Sequence, residues 1–564
     1  MLNKNIPICQ ICMLLGTMFF LHGSDSTGTY SISSKQQSDK KSPQLTVILI
    51  VDQLAYHYLP RMEQYLTGGI KFLMKNGVNY VNAYWPHGMP STAVGHVALN
   101  TGTFATNHGI IGNSWRNDSL QKVAFDHAPV SDAAVFAPNG FYDTGKSAEN
   151  IMVDGISDQL VLASRPNAPI GVYSFSYKSR AAIGCAGSLG KAIWFDAKAG
   201  RFTSSKAYFE TLPKWLETFN KNHPIDPLLR KKWQPCFNEN NEAYCIVEPT
   251  SSFLQKIVNG IGEACYNFAT NHQAPYKPFM RIPGANDLLL DLAQDFLKQQ
   301  TSSCKKEQIV LWISLSPLDK LCHFYGPHGK ESIDMIYHLD QKLKHFFQYI
   351  YSIYNPSDVL FVLTADHGVD PLPEDLYNKG YKHARRIMIP ILSEKITSHI
   401  RQKHGITVPC TIKTPHIYLD KTFDTLDNEK QKIILNDIKT FLEQQEGIKK
   451  AWTYEELEKK DVNRDHIEFY YKNQQFPGRS GPIIFQVFPF VLMTNNPAGV
   501  GHRTPYEWNT HIPLMLYRKG SHEHKTINQR VWGTQFANSL AQIYNVPKPS
   551  ASTEKLLPGL FTNK

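Results

Sequence analysis

The sequence predicts an α/β fold in which a central, mostly parallel sheet is sandwiched by helices and covered by capping insertions. Two observations predict it. Leu45–Val51, Ile309–Leu315 and Val359–Leu363 are short, unbroken apolar runs rich in branched residues, the pattern of strands buried on both faces. Between the second and third runs, Ile333, Ile336, Leu339, Leu343, Phe346, Phe347 and Ile350 recur at steps of three and four, which predicts a helix with Ser332 as its N-cap. Strand, helix, strand implies parallel pairing.

The chain opens with Lys4, an apolar stretch from Ile11 to Leu21 and then His22-Gly23, the order of an export signal, so residues 1–23 are expected to be a signal peptide. The stretch is shorter than the roughly 20 apolar residues a membrane helix needs, and no later run supplies them. Bulky Leu21 makes a poor cleavage position, and an uncleaved leader would act as a tether. The expected location is periplasmic or secreted. Residues 24–43 are polar and Ser-rich, a flexible spacer, and the folded region is expected over 44–564. Weakly periodic stretches at about 195–300 and 380–480 read as insertions that cap the sheet, the second with a helical run over Asn428–Gln445.

With 564 residues, 42% hydrophobic and 19% charged, disordered and fibrous classes are excluded. The net charge of +10 is spread without a long basic run, so no nucleic-acid partner is expected; Lys40-Lys41 and Lys231-Lys232 are ordinary surface clusters. The positive field would speed the approach of a small anionic substrate, which concerns encounter rate and not chemistry, and a monomer is expected. Nine cysteines occur, Cys9 and Cys12 in the leader and seven beyond it; of these seven, Cys236 and Cys245 could close a short loop, and none forms a C-x-x-C zinc pattern.

Each buried run leads into acidic residues. Asp52 ends the first, Asp319 follows the second with His323 four residues on, and Asp366-His367 follow the third just before Gly368. In open α/β sheets, ligands bind beyond the carboxyl ends of the strands, where these residues fall. Oxygen and nitrogen ligands gathered there suit divalent metals of the zinc type, and two ions about 3.5–4 Å apart suit in-line phosphoryl transfer. In Pro90-Ser91-Thr92-Ala93, a hydroxyl ahead of a probable helix could face a metal and the helix N-terminus, which favours anions; spacing alone does not choose between Ser91 and Thr92. Gly140–Ser147 satisfies the P-loop expression G-x-x-x-x-G-K-S, but Ala137-Pro138-Asn139 before it is a turn signal instead of a buried strand, so no nucleotide site is expected there.

The runs VDQ (51–53), PSTAVGH (90–96), TGT (101–103), NHGIIGNSW (107–115), SPLDKLCHFYGP (316–327), TADHG (364–368) and GHRTPYEWNTHIP (501–513) resemble the alkaline phosphatase superfamily. More narrowly they are similar to the bacterial phosphate-irrepressible alkaline phosphatases, with likeness to type I phosphodiesterases and nucleotide pyrophosphatases. The resemblance implies two Zn²⁺ per chain, one held by Asp319, His323 and His502, the other by Asp52, Asp366, His367 and the oxygen of Thr92. It implies Thr92 as nucleophile of a phosphothreonine mechanism on phosphate monoesters. It also implies that Asn113 binds a phosphoryl oxygen and that Lys178 and Arg180 contact the further charged oxygens of a monoester.

Arg503 stands where the family has a small residue, which raises His511 as a rival to His502; His502 is preferred because His511 leads into the apolar run Ile512–Leu516. A sulfatase would need a C/S-x-P-x-R motif, which is absent around Thr92. A phosphodiesterase or nucleotide pyrophosphatase is the enzymatic alternative, typically without the Lys178 and Arg180 pair. A secreted phosphate-binding protein is the non-enzymatic one, and it would show a lost nucleophile or ligand.

Overall fold

In the computed structural model, Leu45–Val51 pairs in parallel with Gln308–Leu315 on one side and with Val359–Thr364 on the other. All seven residues of Leu45–Val51 are buried, as expected for a strand covered on both faces. Ile170–Ser176 and Lys191–Asp196 continue the parallel set beyond Gln308–Leu315, and Arg201–Thr203 closes that edge antiparallel. Beyond Val359–Thr364 come antiparallel Leu514–Tyr517, then Val78–Tyr80 and Lys525–Ile527, completing nine strands. The three apolar runs thus form the neighbouring strands at the centre of a mostly parallel sheet.

Side-chain alternation places helices on both faces. Trp312 donates to Ser157 Oγ at 3.1 Å and packs on Phe536, so helices Ile156–Leu162 and Gln535–Tyr544 cover its face. Trp312 pairs with Ser174, whose neighbours Tyr173 and Phe175 point the other way and meet Phe296 of helix Pro283–Thr301.

The helix expected over 333–350 spans Lys330–Ile353, and its N-cap is Gly329 instead of Ser332. Ser332 lies inside the first turn and donates its hydroxyl to the Gly326 carbonyl at 2.8 Å. The polar pair Lys330-Glu331 extends the helix beyond what apolar spacing registers. The run expected over Asn428–Gln445 is a helix over Asn428–Glu443, with Asp427 accepting from the Lys430 N–H at 2.8 Å. With Ile389–His404 it covers a four-stranded sheet of Cys410–Lys413, His416–Leu419, Ile483–Val487 and Ile448–Thr453, around a separate apolar core that includes Ile396, Ile417, Ile434 and Phe485.

The structure describes residues 41–231, 233–238, 240–248, 274–301 and 307–561; the expected signal over 1–23 and most of the spacer lie outside them. Among the described residues no helix is long and apolar enough to cross a membrane. Gly140–Ser147 contains strand Phe141–Lys146 in a small antiparallel sheet, with Lys146 paired to Asp126. Cys185, Cys236, Cys245, Cys322 and Cys410 are free thiols.

Candidate active site

Asp52 follows the last residue of its strand and is fully buried. Ser314 and Ser316 donate their hydroxyls to its two oxygens at 2.8 and 2.9 Å. Ser316 is also the N-cap of helix Pro317–Tyr325, with Pro317 at the first helical position, where its missing N–H costs nothing. That start sets Asp319 in the first turn and His323 one turn later on the same face, with Asp319 Oδ1 3.2 Å from His323 Nε2. Asp366 and His367 lie two and three residues past strand Val359–Thr364, and both are buried.

His502 comes from a distant loop. Asp370 pins that loop, accepting from Thr504 Oγ1, Trp508 Nε1, Asn509 Nδ2 and the Arg503 N–H. His502 Nε2 thereby sits 3.8 Å from Asp319 Oδ1, and its ring stacks on His367 at 3.6 Å. His511 lies elsewhere, stacked between Tyr56 and Tyr84 with Nε2 at the Val81 carbonyl.

The residues present fit metal ions, and hydrogen-bond counting shows why. His323, His367 and His502 each place Nδ1 at a backbone carbonyl, of Val500, Gly368 and Pro90, at 2.8, 3.0 and 3.0 Å. A carbonyl only accepts, so Nδ1 carries a proton and Nε2 is the nitrogen left to face a metal, the arrangement that orients a ligating imidazole. Those Nε2 atoms face Asp319 Oδ1 and Asp366 Oδ2, two buried carboxylate oxygens that make no hydrogen bond. Buried anionic oxygens are normally satisfied, so their isolation marks cation sites. Burial, with His367 and His323 nearby, holds His502 well below the usual histidine range, in the neutral form a ligand requires.

Asp319, His323 and His502 offer ligand atoms within 4.8 Å of one another, and so do Asp52, His96 and Asp366. His96 is the site residue that motif reading left without a role. Its Nδ1 donates to the Thr92 carbonyl at 2.7 Å and its Nε2 meets Ser314 Oγ at 2.9 Å, so both nitrogens are engaged. His367, with Nε2 free and 3.2 Å from Asp366 Oδ2, is better placed to ligate, and His96 holds the nucleophile helix against the Asp52 strand end.

Thr92 is the first residue of helix Thr92–Thr101 and is buried, with Ser91 in the extended N-cap position. The second helical N–H, of Ala93, donates to Asn113 Oδ1 at 2.8 Å, so the helix end is partly satisfied and the Asn113 amide N–H₂ is left to donate elsewhere.

Lys178 follows strand Ile170–Ser176 and is only 4% exposed. Its ammonium lies 2.7 Å from Asp52 Oδ2, 2.6 Å from Asp319 Oδ2 and 3.5 Å from Thr92 Oγ1. Burial alone would lower its pKa, but Asp319 and Asp52 outweigh that and raise it. Burial likewise favours protonated Asp52, yet Lys178 and then His96 bring it down to about 2. Arg180, half-buried, lines the adjoining cavity with Nε buried and unpartnered.

A family model described as type I phosphodiesterase / nucleotide pyrophosphatase matches residues 46–506. The chain is 26% identical over 532 residues to alkaline phosphatase PhoV of Synechococcus elongatus, covering 92% of this chain and 93% of that protein. It is 25% identical over 541 residues to a calcium-transporting ATPase of Myroides odoratus, covering 93% and 95%. The crystal structure of wild-type alkaline phosphatase PafA superposes with a TM-score of 0.80 at 23% identity, covering 92% of this chain and 98% of that one, which establishes a shared fold. The match from strand Leu45–Val51 to the His502 loop spans most of the chain, which therefore belongs to the type I phosphodiesterase / nucleotide pyrophosphatase family, within the alkaline phosphatase superfamily.

Proposed function

We propose that this protein is an exported phosphomonoesterase that uses two zinc ions and Thr92 as nucleophile. Asp319, His323 and His502 would hold one ion, and Asp52, Asp366 and His367 the other. Bound zinc supplies positive charge that lowers the pKa of a hydroxyl and stabilises an oxygen leaving phosphorus.

Thr92 gives up its hydroxyl proton to solvent, Oγ1 attacks phosphorus in line, the bond to the leaving oxygen breaks with its electron pair, that oxygen takes up a proton from water, and the phosphoryl group is carried as phosphothreonine. Water then attacks the same phosphorus from the opposite side, releasing phosphate and restoring the hydroxyl. Asn113, its Oδ1 fixed by Ala93, donates to one phosphoryl oxygen. Lys178 and Arg180 compensate the second negative charge that distinguishes a monoester from a diester.

The observation that carries this reading is the Lys178 ammonium, buried among Asp52, Asp319 and Thr92. The family model favours a second reading, a phosphodiesterase, because the metal and nucleophile frame is common to both activities. Turnover of an aryl phosphate and its matching diester by purified protein, with zinc determined on the same sample, separates them. The expected result is monoester preference with about two zinc ions per chain; diester preference assigns the second reading, and full metal without turnover assigns a binding protein.

A further inference from the structure

A cavity of about 400 Å³ opens from Lys178 and Arg180, a size within the roughly 300–1,000 Å³ range of small-ligand sites. Six basic side chains line it, Lys146, Lys178, Arg180, Lys198, Lys277 and Lys320, against one carboxylate, Asp196. That carboxylate is already engaged, accepting from Tyr142 OH at 2.5 Å and from the Lys198 N–H at 2.9 Å.

The cations are not equally committed. Lys146 pairs with Asp126, and Lys178 with Asp52 and Asp319, while Lys320, 3.9 Å from Asp319, is held down to about 7 by burial and the neighbouring Lys178. Arg180 Nε is buried without a hydrogen-bond partner, and Lys198 and Lys277 stand exposed at the rim. Transfer of a single phosphoryl group at Thr92 uses Lys178 and Arg180 and leaves the rim charges without an anion.

The geometry points to a second anion subsite: the cavity takes the leaving group, and Lys198 and Lys277 select leaving groups that carry a phosphate of their own. The substrate class is bisphosphorylated small alcohols such as sugar bisphosphates. This rests on the phosphomonoesterase reading. Apolar walls from Tyr177, Trp194 and Phe195 give the carbon skeleton a surface to lie on.

The test compares kcat/KM for fructose 1,6-bisphosphate, fructose 6-phosphate and p-nitrophenyl phosphate in the zinc-loaded enzyme and its Lys198→Gln/Lys277→Gln variant. The wild type is expected to favour the bisphosphate over the monophosphate sugar by about tenfold at low salt, a preference that shrinks as salt is added. In the variant that ratio falls toward one, while p-nitrophenyl phosphate turnover stays within about twofold of wild type. Good turnover of p-nitrophenyl phosphate with no bisphosphate preference, or a preference the variant retains, overturns the subsite and leaves the monoesterase reading standing. No turnover on any of the three overturns both.

Discussion

Gly95 lies so close to Asp366 that a β-carbon on it would sit 2.3 Å from the Asp366 carbonyl oxygen. The helix that begins at Thr92 is thereby pressed directly onto the loop carrying Asp366 and His367. Gly95→Ala must push one from the other. Overpacking of this kind costs about 1–3 kcal/mol, and because the displaced groups are the nucleophile and metal ligands, zinc affinity and turnover are expected to fall together. Denaturant titration and zinc analysis check this; a variant with wild-type stability and activity refutes the close coupling.

Lys178 and Arg180 separate monoesters from diesters. Replacing both by Ala is expected to lower kcat/KM for an aryl phosphate by about 10²-fold or more, while the matching diester loses under about tenfold, because a diester lacks the second charge these cations meet. Equal losses on the two substrates would remove the charge-recognition role.

Metal removal tests the orphaned oxygens of Asp319 and Asp366. Chelation should abolish turnover and lower Tm, and added Zn²⁺ should restore both in a concentration-dependent way. Binding to the folded state alone stabilises by about 4 kcal/mol at a thousandfold excess over Kd. Differential scanning calorimetry across a zinc series reads it directly, and a Tm indifferent to zinc contradicts a resident metal.

Glu468, on helix Ile467–Lys472, pairs with Lys450 of strand Ile448–Thr453 and with Lys460 at the end of helix Tyr454–Lys459, each 2.7 Å from one of its oxygens. Burial favours the neutral acid, but the two ammonium groups outweigh it and hold the carboxyl at about 2, below its ordinary 4.5. A carboxyl depressed on folding contributes stability that is present above pH 4.5 and is lost as pH falls toward 2. Allowing for the partly exposed lysines, the contribution is on the order of 1 kcal/mol. Unfolding free energies of wild type and Glu468→Gln should therefore converge on acidification over that window, and a constant gap would show the pair to be inert.

The central strands were legible because their burial on both faces writes itself as unbroken apolar runs, and Leu45–Val51 is the same seven residues in sequence and structure. Arg201–Thr203, Val78–Tyr80 and Lys525–Ile527 were not, since three residues carry no period, and for the last two the pairing partners are also distant in sequence. The acidic residues at strand ends stood out by position. Ser314 left a signal that went unused, a lone hydroxyl in the apolar run Ile309–Leu315 that turns out to donate to Asp52. The placement of Lys178 between two carboxylates is a tertiary fact that no local pattern encodes, because its partners lie 126 and 141 residues away.

Quenching the enzyme in acid during steady-state turnover of a phosphate monoester, and mapping the phosphoryl group by peptide mass spectrometry, decides whether Thr92 Oγ1 carries the reaction. The expected result is a phosphoryl group on Thr92, absent from a Thr92→Ala variant that retains its zinc and loses turnover by at least about 10³-fold. Product formation with Thr92 unlabelled, or with the label on Ser91, contradicts it.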